Sequence, residues 1–181
     1  MRILRISTTF LTAGALACTL FAATGNRPVT ENGQSPTADT SIKLGTRTIT
    51  VEYNAPSARG RKVEGGLIPY DQWYRLGADS ATTITSDAPL TIGDLKVPAG
   101  AHTLFLYATE KNGWKLIVNK ETKQWGLSYK ESEDLGRTPM KVTKLATPVE
   151  RFKLTLAKTS ETAGTLSMDW GTTHAEVPLH L

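Results

Sequence analysis

Along most of this chain polar and apolar residues alternate with a period of two, the pattern of strands with one buried face. Over 48–53, Ile49, Val51 and Tyr53 take one side and Thr48, Thr50 and Glu52 the other. Gly45-Thr46 turns the chain into this strand from a first one over 41–44. Short β-branched runs over 81–86 and 90–92 follow, and Gly93-Asp94 turns the second into 95–97. The run over 101–109 is apolar on both faces at Leu104, Phe105 and Leu106, which places it near a sheet centre. Asn112-Gly113 is a strong hairpin signal leading to a return strand over 114–119.

The second half repeats the pattern. A strand is predicted over 124–129, one helical turn within 130–137, and further strands over 140–145, 150–157, 165–170 and 175–181. Phe152, Leu154 and Leu156 should face inward, as should Leu166, Met168 and Trp170, and then Val177, Leu179 and Leu181. His180 falls on the polar side, and Pro178 suggests an edge position. Helical periodicity is missing outside the N-terminus, so the expected fold is all-β: a single-domain, jelly-roll-like β-sandwich, mostly antiparallel, over 40–181.

The N-terminus has a different character. Arg2 and Arg5 precede an apolar run from Ile6 to Ala23, and small residues follow, as in a secretory signal peptide. Cleavage is expected near Asn26, with 1–25 removed and the product periplasmic or extracellular. A lipid anchor at Cys18 is the alternative; Ala15-Leu16-Ala17-Cys18 departs from a lipoprotein box at Ala15, and the chain stays apolar beyond the cysteine. Residues 26–39, rich in Pro, Thr, Asn, Gly and Ser, read as a disordered tether. Loss of Arg2 and Arg5 lowers the formal net charge from +4 to +2, too little for a nucleic-acid-binding face. No membrane span is expected after processing.

One long stretch, 59–84, lacks clean alternation and concentrates the candidate chemistry. Arg59-Gly60-Arg61-Lys62 suggests a phosphate cradle, but no P-loop follows and no helix N-terminus receives it. Tyr70, Trp73 and Tyr74 with Asp71, Arg75 and Asp79 are a mixture suited to a sugar or small polar ligand, rings stacking and fixed groups orienting. Two of these aromatics could equally cap the sandwich. Arg75 and Asp79, four apart around Gly77, are expected to pair. Paired acids can also hydrolyse glycosides, and His102 could serve as acid or base. The histidines have no zinc spacing, so neither metal nor cofactor is expected.

Gly60-Arg61-Lys62, Leu67-Ile68-Pro69-Tyr70, Trp73 to Ala78 and Ala81-Thr82-Thr83 resemble the bacterial family known as domain of unknown function 2911. Val97-Pro98-Ala99-Gly100, Trp114, Asn119-Lys120 and Gln124-Trp125-Gly126 are similar to its later motifs. The resemblance runs from Asp39 to Leu181 and implies an exported single domain, with no motif tied to an established chemistry. Family members usually carry Asn-Glu where this chain has Asp79-Ser80, which weakens any catalysis built on that acid.

Three readings follow. The leading one is a non-catalytic exported binding module for a small polar or carbohydrate-like ligand or a cell-envelope partner. It would use Arg59, Arg61, Tyr70, Trp73, Tyr74, Arg75, Asp79, Thr82 and Trp125. The second is a hydrolase using Asp71, Asp79 or His102, and the third a purely structural accessory domain. Convergence of these groups in one concave site would favour the enzyme.

Overall fold

The computed structural model describes residues 35–111 and 113–181. The expected leader, its expected cleavage near Asn26 and Cys18 lie outside the described residues. Ten strands follow in order: β1 (Thr37–Leu44), β2 (Arg47–Asn54), β3 (Gln72–Arg75), β4 (Thr83–Ser86), β5 (Leu90–Ile92), β6 (Leu95–Val97), β7 (Gly100–Ala108), β8 (Trp114–Asn119), β9 (Asp134–Lys158) and β10 (Ala163–His180). A single 3-10 turn, Glu131–Glu133, supplies the helical turn expected before β9.

All pairings between these strands are antiparallel, and the order is β1-β2-β4-β7-β8-β9-β10-β5-β6, with β3 added alongside β7. The fold is therefore all-β, as the alternation implies. Its two layers are one continuous sheet that changes partner along β9. Up to Met140 this strand pairs with β8; from Lys141 it pairs with β10.

The folding-over brings the first edge of the sheet against the far half of β9. The Leu156 N–H donates to Thr40 Oγ1 (3.1 Å), and the Tyr53 hydroxyl donates to the Leu154 carbonyl (3.4 Å). Just past β2, Phe152 N–H bonds to the Pro56 carbonyl and Ala58 N–H to that of Glu150, each at 2.8 Å. A sheet edge that would otherwise stand open is thus covered.

One apolar cluster fills the interior, built from the inward positions of β1, β2, β7, β8, β9 and β10. Leu104, Phe105 and Leu106 are completely buried, as a run apolar on both faces requires. On β10, Leu166, Met168 and Trp170 point inward, and after a bulge at Gly171 the buried set becomes Thr173, Ala175, Val177 and Leu179.

That bulge explains why two strands are predicted where one exists. An extra residue shifts the inward phase by one, so the alternation seems to stop and restart. β9 likewise joins the predicted strands 140–145 and 150–157. Leu181 is 40% exposed, since it lies past the end of β10. Pro178 is not on a sheet edge; it falls between the last rung to β9, at Glu176, and the first to β5, at Leu179.

Two further differences bear on function. Residues 124–129 form no strand, only an isolated bridge between Trp125 and Ser80. β3, inside the supposed loop, escapes the periodic signal because Trp73 and Tyr74 place aromatic rings on both of its sides. β1 also begins at Thr37, so the last residues assigned to the tether are part of the sheet.

Candidate functional site

β1 and β2 run antiparallel and send alternate side chains outward, among them Thr37, Asp39, Glu52 and Asn54. The chain after β3 lies close over this face. The Asn54 carbonyl accepts from the Ala78 N–H (3.1 Å), and a Cβ on Gly77 would sit 2.8 Å from that same oxygen. Gly77 also has a φ of +133°, so both the space and the backbone call for glycine. The buried Thr82 hydroxyl donates to the Leu76 carbonyl and closes this turn.

Residues 79–81 then meet 124–126. Gly126 N–H donates to the Asp79 carbonyl (2.8 Å) and Ala81 N–H to that of Gln124 (3.1 Å), on either side of the Ser80–Trp125 bridge. A Cβ on Gly126 would lie 2.6 Å from the Asp79 carbonyl and 3.1 Å from Arg75 Cδ, so only glycine permits this approach. The short ladder holds Trp125 beside the outer face of β1 and β2 with half of its surface exposed.

Between the two lies a cleft of about 540 Å³. Thr37, Glu52, Asn54, Asp79, Ser80, Thr83, Lys123, Gln124 and Trp125 are among its lining residues. The Asp79 carboxylate accepts from the Ser35 N–H at 2.9 Å. Buried Gln124 Nε2 has no hydrogen-bond partner among the described residues, while the amide oxygen of the same side chain accepts from the Thr103 hydroxyl. One half-exposed indole above a set of hydroxyls, amides and charges is a surface that can stack and orient a small polar molecule.

The sequence-predicted residues divide around this cleft. Asp79 and Trp125 line it, and Thr82 and Arg75 shape it from behind. Arg75 and Asp79 form no ion pair: Asp79 is held by the Ser35 N–H, whereas Arg75 packs along Gly126 with a buried Nε that has no hydrogen-bond partner among the described residues.

Trp73, Tyr74 and Tyr70 do not form a common platform. Trp73 stacks on Tyr129 (centroids 4.8 Å apart, planes at 28°) and stands edge-on to Phe105 at 5.7 Å. Tyr129 in turn donates to Asp134 (2.6 Å) and accepts from Arg137 (2.9 Å). Burial, then the Asp134 carboxylate, push its hydroxyl up to a pKa of about 12. Tyr74 alternates to the other side of β3 and packs on the core. Burial raises its pKa, opposed by the nearby Arg75 and Arg61. Tyr70 reaches Glu64 at 3.4 Å.

Arg61 is tied by its guanidinium to the Ser57 and Ala58 carbonyls, each at 2.9 Å. Arg59 is exposed, and its backbone N–H donates to Glu150 (2.7 Å). Asp71 and His102 lie at opposite ends of β7. Asp71 donates its N–H to the Ala108 carbonyl, while His102, paired with Ile84, stands six residues before Ala108 on β7, a run of roughly 20 Å in a strand. His102 is buried, which lowers its pKa. These two groups are not brought together.

Thr37, Glu52, Asn54 and Lys123 are among the cleft residues that sequence reasoning did not single out. In sequence they look like ordinary outward or turn positions; only the Gln124-Trp125-Gly126 motif hinted at them. A polar cluster on β10 was also missed. His174 Nδ1 lies 2.6 Å from Asp169 Oδ1, His174 Nε2 lies 3.5 Å from Glu176, and Lys141 bonds Glu176 at 2.9 Å. The Asp169 hydrogen bond is the main cause of a raised His174 pKa.

Neither a curated protein nor a solved structure matches this chain. A family model does, over residues 35–179, under the description "protein of unknown function (DUF2911)". That span includes nearly every described strand and both arms of the cleft, so the chain belongs to the DUF2911 family.

Proposed function

We propose that this is an exported, non-catalytic binding module that takes a small polar, carbohydrate-like ligand in the cleft beside Trp125. The observation that carries this reading is the indole itself. Trp125 is 50% exposed at the wall of a cleft otherwise lined largely by polar groups, and the Gly126–Asp79 approach holds it there. Large aromatic faces left in water beside fixed hydrogen-bonding groups suit the alternating apolar and hydroxyl faces of sugars. The leader-like N-terminus supports action in the cell envelope or outside it. A hydrolase is less well supported, since Asp71 and His102 stand at opposite ends of β7 and neither lines the cleft.

Titrating the protein with a panel of soluble oligosaccharides while following tryptophan fluorescence tests this. Binding should quench or shift the emission; Trp125→Ala should abolish the response and leave the fold intact. A response that survives Trp125→Ala, or no response to any member of the panel, would overturn the assignment.

A further inference from the structure

We propose that the ligand of this cleft carries a positive charge, and that its class is an amino sugar with a free ammonium group. This rests on the cleft reading above and adds the charge. Glu52 lines the cleft, and its direct cross-strand partner on β1 is Asp39. Both side chains lie on the outer face and both residues are exposed. Like charges directly opposite in an antiparallel pair destabilise the sheet. Asp79, with one carboxylate oxygen on the Ser35 N–H, lines the same cleft as Glu52 and adds a third carboxylate.

None of the three has an ion-pair partner among the described residues. On the outer face of β1 the nearest cation is Lys43, four residues from Asp39 and roughly 13 Å along a strand. On β2, Thr48, Thr50 and Asn54 complete the outer positions without charge, and β4 contributes Thr83 and Thr85. Among the described residues Lys123 is the one basic side chain in the cleft lining, against Glu52 and Asp79, so the lining carries a formal charge of −1 and Asp39 opposite Glu52 brings it to −2.

A neutral sugar would leave the Asp39–Glu52 repulsion in place. An ammonium beside Glu52 and Asp79 relieves it, and the exposed face of Trp125 attracts the same charge. Lys123 is then left to meet hydroxyl or ring oxygens of the ligand.

The test uses the mature chain and a matched pair of probes, a glucosamine oligosaccharide and its fully N-acetylated counterpart, with calcium chloride as a third. Tryptophan fluorescence reports binding. The free amine should bind about tenfold tighter or more, corresponding to one good charge contact. Its advantage should fall with added salt and largely vanish in Glu52→Gln. Without ligand, Glu52→Gln and Asp39→Asn should each melt higher than the parent, because each removes the repulsion.

Equal binding of the two oligosaccharides would overturn the charge assignment and leave the cleft reading standing. A response to calcium alone would overturn it in favour of a metal ion. Failure of all three probes would count against both readings. An unchanged or lowered melting temperature in both single variants would also contradict the proposal.

Discussion

Replacing Trp73 with alanine separates a structural aromatic from a ligand-binding one. Trp73 stacks on Tyr129 and meets the edge of Phe105, which itself stands edge-on to Tyr129 at 4.9 Å. The substitution removes two ring contacts, each contributing about 0.5–1.5 kcal/mol beyond burial. A fully buried tryptophan replaced by alanine costs about 3–5 kcal/mol. Trp73 is only half-buried, so the expected loss is about 2–3 kcal/mol. For a domain of this size that lowers Tm by roughly 4–12 °C. Urea unfolding followed by circular dichroism measures the free energy independently of the lost fluorophore. The sugar response should persist in the folded fraction, because the Trp125 cleft is untouched. A stability loss below about 0.5 kcal/mol, within the range of an ordinary surface change, would show that the ring is not held by its neighbours.

Two other perturbations probe different parts of the structure. Gly126→Ala places a Cβ against the Asp79 carbonyl and the Arg75 side chain; it should cost about 1–3 kcal/mol in urea melts and weaken any ligand response, and a neutral outcome would refute the close approach. His174 tests pH linkage. Its pKa is raised in the folded state above 6.5, chiefly by Asp169, so its contribution is fully present below the unfolded pKa and lost as pH rises through the folded one. The stability difference between the parent and His174→Gln should therefore be largest near pH 5.5 and shrink toward pH 8. His102, whose pKa burial lowers, acts in the opposite direction but is common to both proteins and cancels. A difference that grows with pH would contradict the Asp169 contact.

Much of the fold was legible because an antiparallel sheet with one wet face writes its period directly into the sequence. Ile49, Val51 and Tyr53 are all buried, as are Phe152, Leu154 and Leu156. Where the period misled, a bulge was responsible: the shift at Gly171 split β10 in two. β3 was hidden for the opposite reason, since both faces of Trp73-Tyr74 are packed, one on Tyr129 and Phe105 and the other on the core.

The site was less legible. Trp125 stood among the predicted binding residues, yet the run around it reads as a strand, and only the pairing of 79–81 with 124–126 turns it over the sheet. Glu52 and Asn54 occupy outward strand positions, which in sequence are indistinguishable from solvated ones. Asp39 faces Glu52 only through the register of β1 on β2. Asp71 and His102, two of the acid–base candidates, are not brought together, because they lie near the two ends of one strand.

The central claim is that ligand meets Trp125, and the side-chain indole N–H signals in a ¹⁵N correlation spectrum test it most directly. The chain has four tryptophans, at 73, 114, 125 and 170, and hence four such signals, assignable by single substitutions. Trp114 and Trp170 are buried, and Trp73 is covered by Tyr129 and Phe105. On titration with the amino oligosaccharide the Trp125 signal should shift progressively and saturably while the other three hold their positions. Movement of the Trp73 signal with Trp125 unmoved, or no movement at saturating ligand, would contradict the account.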